Sequence, residues 1–368
     1  MRVLHLLPMN KLSGAERMGL LICQHMTGVE SFVLTGGEEL ANVFLQEGIE
    51  ARHLNFAVKN ILLLTRQLKN FIKEKKIDII HAHDNIASLA AILTKKRYGL
   101  TVKVVSHIHN CYPWLKTGGI HRRIDQWVRP QYDYNIACGK IVFDYYKANT
   151  TYFNPEKTAI LSNAIDLKTL KNVSMDRVDE IREKFNLPTN QTIIGYIGRL
   201  SEQKGMIPFI KALSLFKDAF YDCKFLIVGS GEQEEEVKRL VEELELSELF
   251  IFAGFQSDVY PFYRLIDVFF LPSLYEGLPM VLLEAVGSGV PTISMNVGSI
   301  SEVIIPEKTG MLIEPENHVE FVKELIRFKN DASLQEQVAT GGADHVQSRF
   351  NINEYNRLLK AVYEQIVG

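Results

Sequence analysis

The 368-residue chain is poor in several features that mark particular protein classes, and each shortage removes one class. Its four cysteines, Cys23, Cys111, Cys138 and Cys223, lie far apart with no C-x-x-C pair. A disulfide framework or cysteine zinc site is therefore not expected, and the thiols read as reduced and structural. No apolar run approaches the ~18 residues that would suggest a membrane span. The N-terminus enters directly into Arg2-Val3-Leu4-His5-Leu6-Leu7 without a cleavage-like small-residue signal, so the expectation is a chain that starts here and stays in the cytoplasm. Repeats, low-complexity tracts and long linkers are missing too. With 46% hydrophobic and 23% charged residues, the composition excludes disorder, collagen and coiled coil. Nothing in it suggests a nucleic-acid partner.

Two nucleotide-binding signatures are also incomplete. The G-x-x-x-x-G-K-[ST] spacing of a Walker loop does not occur. Val228-Gly229-Ser230-Gly231-Glu232 follows an apolar run but lacks the third glycine of a dinucleotide fingerprint. Glu234, Glu235 and Glu236 stand where a pyrophosphate would approach, so the segment reads as a tight strand-to-helix turn and not a hydride-transfer site.

What is present is alternation. Short β-branched and aliphatic runs at 3–7, 32–34, 77–80, 102–106, 134–137 and 158–161 are separated by helical patterns at 15–26, 40–47, 61–75, 87–98, 120–128 and 141–147. The same rhythm restarts at 192–197 and continues through 225–228, 249–252, 268–271, 292–294 and 310–313. Alternation of this kind implies buried parallel sheets covered on both faces, and the length favours two domains. The expected division is 1–165 and 166–350, with a closing helix over 351–368 that has no strand before it and can cross back to the N-terminal domain. Charge divides the same way: residues 1–165 hold 21 Lys/Arg against 13 Asp/Glu, and 166–368 hold 20 against 31. The first half attracts anions.

The most informative stretch is Pro272-Ser273-Leu274-Tyr275-Glu276-Gly277-Leu278-Pro279, running on to Glu284. An apolar run ends at proline, a turn follows, and apolar residues then resume at helical spacing. Glu284, inside an apolar helix, needs a partner, and polyhydroxylated ligands donate to such acids. An ion-paired structural carboxylate explains the spacing as well. Gly198-Arg199-Leu200-Ser201-Glu202-Gln203-Lys204-Gly205 sets cations beside glycines between a strand and a helix, where Arg199 can fork onto phosphate oxygens and Lys204 can add a point charge. Ser13-Gly14-Ala15-Glu16-Arg17 is a second small-residue turn, in which Gly14 lets backbone approach a ligand. The pairs His81-Ala82-His83 and His107-Ile108-His109 end neighbouring strands. Each pair shares a face, but with no cysteine and no clustered acid beyond Asp84 the expectation is hydrogen bonding along a cleft, not metal.

Taken together, Ser273-x-Tyr275-Glu276-Gly277-Leu278-Pro279, Glu284-Ala285, Gly289-x-Pro291 and Gly298-x-x-x-Glu302 resemble the E-x7-E signature of retaining, nucleotide-sugar-dependent glycosyltransferases of family four. The likeness spans the chain, through Ser13-Gly14-Ala15-Glu16, His107-x-His109-Asn110, Gly198-Arg199-Leu200, Lys204-Gly205 and Gly254-Phe255. It implies the GT-B fold: two doubly wound Rossmann-like α/β domains facing across a cleft, acceptor on the first and donor on the second.

By that resemblance Arg199 and Lys204 bind the donor diphosphate, Glu284 the ribose, Glu276 with Gly277 and Leu278 the transferred sugar, and Gly14 approaches the phosphates. His109 stands beside the reacting carbon, and Glu302 helps hold a loop whose following helix also faces the diphosphate. No cofactor or metal is implied, because cations and helix N-termini can stabilise the leaving diphosphate. The donor is expected to be a UDP-linked hexose or N-acetylhexosamine, and the acceptor a growing surface glycan or a polyprenyl-diphosphate-linked saccharide. Lys59, Arg66, Lys69, Lys73, Lys75 and Lys76 around an apolar helical stripe suit peripheral contact with an anionic membrane at its inner face, though an ordinary surface helix has the same pattern. The departures are Leu12-Ser13-Gly14 where family members commonly carry paired glycines, Asn163-Ala164 where Asn-Gly is usual, and Ser299 in place of a frequent glycine. A nucleotide-sugar 2-epimerase of the same architecture and a silent sugar-nucleotide-binding subunit are the competing readings.

Overall fold

A computed structural model of the chain describes every residue except Asp84, and every side chain but those of Asp84 and Lys171. The acid considered beside the histidine pairs therefore lies outside the described residues. The described chain divides into two compact units, Met1–Ala164 with Ile352–Gly368, and Ile165–Asn351.

Among the described residues the first unit carries seven parallel strands: β1 (Arg2–Leu7), β2 (Glu30–Thr35), β3 (Glu50–His53), β4 (Ile79–Ala82), β5 (Lys103–Ile108), β6 (Tyr134–Ala137) and β7 (Thr158–Ile160). Their order is β3-β2-β1-β4-β5-β6-β7. The central strands are apolar on both faces because helices cover both, and Leu4, Leu6, Ile80 and Val104 are fully buried. β3 escapes a hydrophobic pattern search because it is a charged edge. Only Ala51 is buried, while Arg52 pairs with Glu74 at 2.9 Å, a device that discourages further pairing. β4 runs later than the apolar run 77–80 suggests, since Asp78 is spent on capping: its carboxylate accepts from the Arg2 N–H at 2.8 Å. The closing helix Ile352–Val367 packs within this unit, where Asn356 Nδ2 donates to Ile22 O at 3.1 Å and Tyr363 is fully buried.

The second unit repeats the plan with β8 (Thr192–Ile197), β9 (Cys223–Val228), β10 (Phe250–Gly254), β11 (Val268–Leu271), β12 (Thr292–Met295) and β13 (Met311–Ile313), ordered β10-β9-β8-β11-β12-β13. Phe209 stacks on Phe270 at 4.6 Å between ring centroids, and Phe225 meets Phe270 edge-on at 5.8 Å, which fixes the core under β8, β9 and β11. In both sheets the order reverses beside the opening strand, between β1 and β4 and between β8 and β11. Loops leaving the carboxyl ends of such a strand pair diverge and leave a crevice.

Candidate functional site

In the second unit, the loops after β8 and β11 are sewn together at that reversal. Gly205 has φ +66°, and a Cβ there would sit 2.2 Å from the carbonyl oxygen of Pro272. Only glycine permits that approach. Leu274 N donates to Gln203 O at 2.8 Å, which sets the two loops in register. Glu276, 4% exposed, then becomes the focus of three donors: Lys204 Nζ at 2.5 Å, Ser273 Oγ at 2.7 Å and Gln203 Nε2 at 3.1 Å. A carboxylate offers about four lone-pair sites, so one acceptor position is left for a ligand hydroxyl.

The turn around Glu276 is held from behind. Ser299 N donates to Gly277 O at 2.6 Å, Leu278 is buried, and a Cβ on Gly298 would lie 2.3 Å from Glu276 O. Gly298 is thus required by backbone packing. Glu284 lies in the helix Met280–Gly287, 1% exposed, and accepts a 2.9 Å hydrogen bond from Tyr263 OH. Tyr263 is an anchor that sequence reasoning missed, since it lies 21 residues away on a different element and no local pattern links them. Gln203, between the motif cations, serves both loops: its carbonyl accepts from Leu274 N and its amide donates to Glu276.

One expectation is corrected. Gly298–Glu302 is itself a five-residue 3-10 turn, and the next helix, His318–Lys329, begins only after β13, so no helix directly follows Glu302. Glu302 holds this region through its carbonyl, which accepts from His345 Nε2 at 2.8 Å. Arg199 stands outside the Glu276 cluster. Its Nε pairs with Glu232 at 3.0 Å, with both side chains more than half exposed. Gly229 and Gly231 are explained by packing: Cβ atoms there would lie 1.9 Å from Gly198 O and 2.2 Å from Leu200 O.

At the corresponding reversal of the first unit, Gly14 opens the helix Gly14–His25, and a Cβ on it would meet nothing within 4 Å. Ser13 Oγ donates to the Glu16 carboxylate. The histidine pairs do share faces, with ring centroids 4.2 Å apart for His81 and His83 and 3.9 Å for His107 and His109. They are not simply cleft-lining, however. His81, His83 and His107 are buried, and His109 is partly buried. A fifth ring, His5 on β1, completes the array; in the sequence it reads as one polar residue in an apolar strand, and its register partner on β4 is His81. His5 Nδ1 and His83 Nε2 share a hydrogen bond at 3.1 Å, His83 Nδ1 and His109 Nε2 at 3.3 Å, and His81 Nδ1 shares one with Tyr363 OH at 2.5 Å. Desolvation pushes His5 and His109 down to about 3 and holds His81, His83 and His107 well below the ordinary imidazole value. All five are neutral at physiological pH.

Two parallel sheets flanked by helices, each with a polar cluster at its reversal, define a protein of the GT-B class with two Rossmann-like domains. The chain matches the family described as "Glycosyl transferases group 1" over residues 177–345 and "Glycosyltransferase Family 4" over 14–169, and it belongs to this glycosyltransferase family. It is 24% identical to the UDP-Gal:alpha-D-GlcNAc-diphosphoundecaprenol alpha-1,3-galactosyltransferase of Escherichia coli, with 100% of this chain and 97% of that enzyme covered. It is also 24% identical to the lipopolysaccharide core biosynthesis mannosyltransferase LpsB of Rhizobium meliloti, over 78% of this chain and 79% of that one. Among solved structures, Anabaena HepE in complex with UDP-glucose superposes with a TM-score of 0.85 at 19% identity, covering 99% of this chain and 100% of that one.

Proposed function

We propose that this glycosyltransferase moves a hexose or N-acetylhexosamine, with retention and without a metal, from a UDP-linked donor to a hydroxyl of a lipid-linked or growing surface glycan. The observation that carries the reading is the buried Glu276 carboxylate, held by Lys204, Ser273 and Gln203 with one acceptor position left over. That position suits one hydroxyl of the transferred sugar. Glu284, oriented by Tyr263, takes the ribose hydroxyls. Lys204 and Arg199 neutralise charge on the departing diphosphate, with Arg199 exchanging Glu232 for phosphate oxygens. Gly14 leaves room for a phosphate, and His109 lies beside the reacting carbon. With Oε1 of Glu276 already accepting two hydrogen bonds, its nucleophilicity is low, which favours same-face attack assisted by the leaving phosphate over double displacement.

The donor and acceptor classes are supported by the Escherichia coli relative, whose name specifies UDP-Gal and a diphosphoundecaprenol-linked acceptor. No helix among the described residues is long and apolar enough to cross a membrane. Peripheral contact is supported by Val58, Leu62 and Leu63, which are 60%, 68% and 56% exposed beside Lys59. Co-sedimentation with anionic vesicles at low salt is expected, and protein left in the supernatant would remove this part of the reading.

The main test incubates the chain with UDP-linked and other nucleotide sugars and follows free nucleoside diphosphate, epimerised donor, or neither. Release of diphosphate that persists in chelator and collapses in Glu284→Ala and Lys204→Ala is expected. Epimer without release would identify an isomerase, binding without turnover a silent subunit, and full activity in both variants would place the site elsewhere.

A further inference from the structure

The histidine array contains more buried nitrogen than its hydrogen bonds use. His107 has both ring nitrogens enclosed without a partner, and Nδ1 of His109 and Nε2 of His81 are in the same condition. Buried polar atoms of this kind are costly unless something satisfies them. Ligand atoms of His83, His107 and His109 lie within 4.8 Å of one another. His83 Nδ1 and His109 Nε2 are 3.3 Å apart, close to the edge of about 3.3–3.4 Å expected of a tetrahedron with metal–nitrogen bonds of 2.0–2.1 Å.

We propose that His83, His107 and His109 bind one divalent ion of the zinc class, through Nδ1 of His83, Nε2 of His109 and a ring nitrogen of His107, with a water as fourth ligand. Neutral imidazoles suit zinc, copper, nickel or cobalt and not magnesium or calcium, which take oxygen. The surroundings supply the outer contact that such ligands need: with Nδ1 of His83 on the ion, its Nε2–H donates to His5 Nδ1 at 3.1 Å, which fixes the tautomer and the ring plane. The neighbouring trio His5, His81 and His83 is the weaker choice, because His81 Nδ1 is engaged from outside it by Tyr363 OH, whereas the His83–His109 contact lies within the chosen trio and would be replaced by the two bonds to the ion. The ion would hold the His109 ring from its Nε2 side. It belongs to the first unit and takes no part in neutralising the diphosphate; it bears on the transferase reading only through His109, whose ring it would hold beside the reacting carbon.

The test uses the full, untagged chain stripped with chelator and then freed of it, without nucleotide sugar. Titration with Co2+ should raise the visible bands of a tetrahedral site, saturating at about one ion per chain and displaced by Zn2+. His107→Phe, which keeps the volume but removes the ligand, should abolish the bands. His107→Cys should retain binding and add a sulfur-to-metal charge-transfer band. His5→Ala should weaken binding about 10–100-fold. The exposed His121→Ala should leave it unchanged. Thermal melts of the metal-free variants establish that each is folded. No cobalt bands in the parent chain, bands that survive His107→Phe, or a folded His107→Cys that binds nothing would each overturn the proposal, leaving water-filled or hydrogen-bonded imidazoles. Donor binding is measured separately and succeeds or fails on its own.

Discussion

The two sheet reversals share a topology and carry opposite chemistry. Between β8 and β11 the cluster is charged and nearly saturated, with the buried Glu276 taking three donors from its own loop and the β8 loop. Between β1 and β4, extended onto β5, it is neutral and under-satisfied, five imidazoles sharing three hydrogen bonds among themselves and Tyr363. The same fold thus builds a charged, hydrogen-bonded carboxylate cluster in one unit and an uncharged array of imidazoles in the other. A charged cluster answers to the loss of a partner, whereas a neutral one answers to protons and metal ions.

The largest effect should come from acid, acting on the first unit. In chelator, the folded-state values of His5, His81, His83 and His107 lie below the ordinary 6.5, so the unfolded chain takes up protons that the folded chain refuses. Stability is complete above 6.5 and is lost as pH falls below it, by up to about 1.4 kcal/mol per pH unit for each such ring. Hydrogen exchange resolved by unit should show the first unit opening ahead of the second between pH 6.5 and 4, with His5→Phe flattening the slope. If both units lose protection together at an unchanged slope, the neutral array is not what separates them.

Removing Lys204 should hurt the second unit next most. Truncating one partner of a buried pair leaves its charge uncompensated at a cost of about 3–5 kcal/mol. Lys204→Ala should therefore lower the denaturant midpoint of that unit as well as donor binding. Loss of binding at unchanged stability would mean that the Lys204–Glu276 contact forms only weakly without ligand. Tyr263→Phe is a smaller version: it leaves the buried Glu284 without that donor, costs about 1–3 kcal/mol, and should raise the donor Kd while His-cluster properties stay constant.

The charged cluster was largely legible in the sequence and the neutral one largely was not, for a physical reason. Glu276, Lys204 and Gly205 are dictated by backbone: a proline-terminated strand and a glycine at positive φ leave few places for the loop to go. Such constraints are local, and local constraints write local patterns. The histidine array depends on register between strands far apart in the chain, with His5 meeting His83 across 78 positions and His81 meeting Tyr363 across 282. H-x-H spacing announced shared faces but not a fifth ring. The edge strand β3 failed for a related reason, because its charge is what the fold requires of an edge and what a hydrophobic search discards.

The smallest expected effect discriminates most finely within the charged cluster. Arg199 and Glu232 form an exposed pair, 55% and 54% accessible at the side chain, and such pairs contribute about 0–1 kcal/mol to stability. Glu232→Gln should therefore leave the unfolding midpoint where it is. It removes a carboxylate that competes with diphosphate for the same guanidinium, so if Arg199 exchanges partners on donor binding, the variant should bind UDP more tightly at low salt. The gain should fade as salt is added, because the competition is between solvent-exposed charges and is screened within about 10 Å at 0.1 M. Arg199→Ala should weaken UDP binding with equally little effect on stability. A Glu232→Gln chain that binds UDP no better at any ionic strength would make Arg199 a surface residue and leave Lys204 as the diphosphate's principal side-chain cation in this cluster.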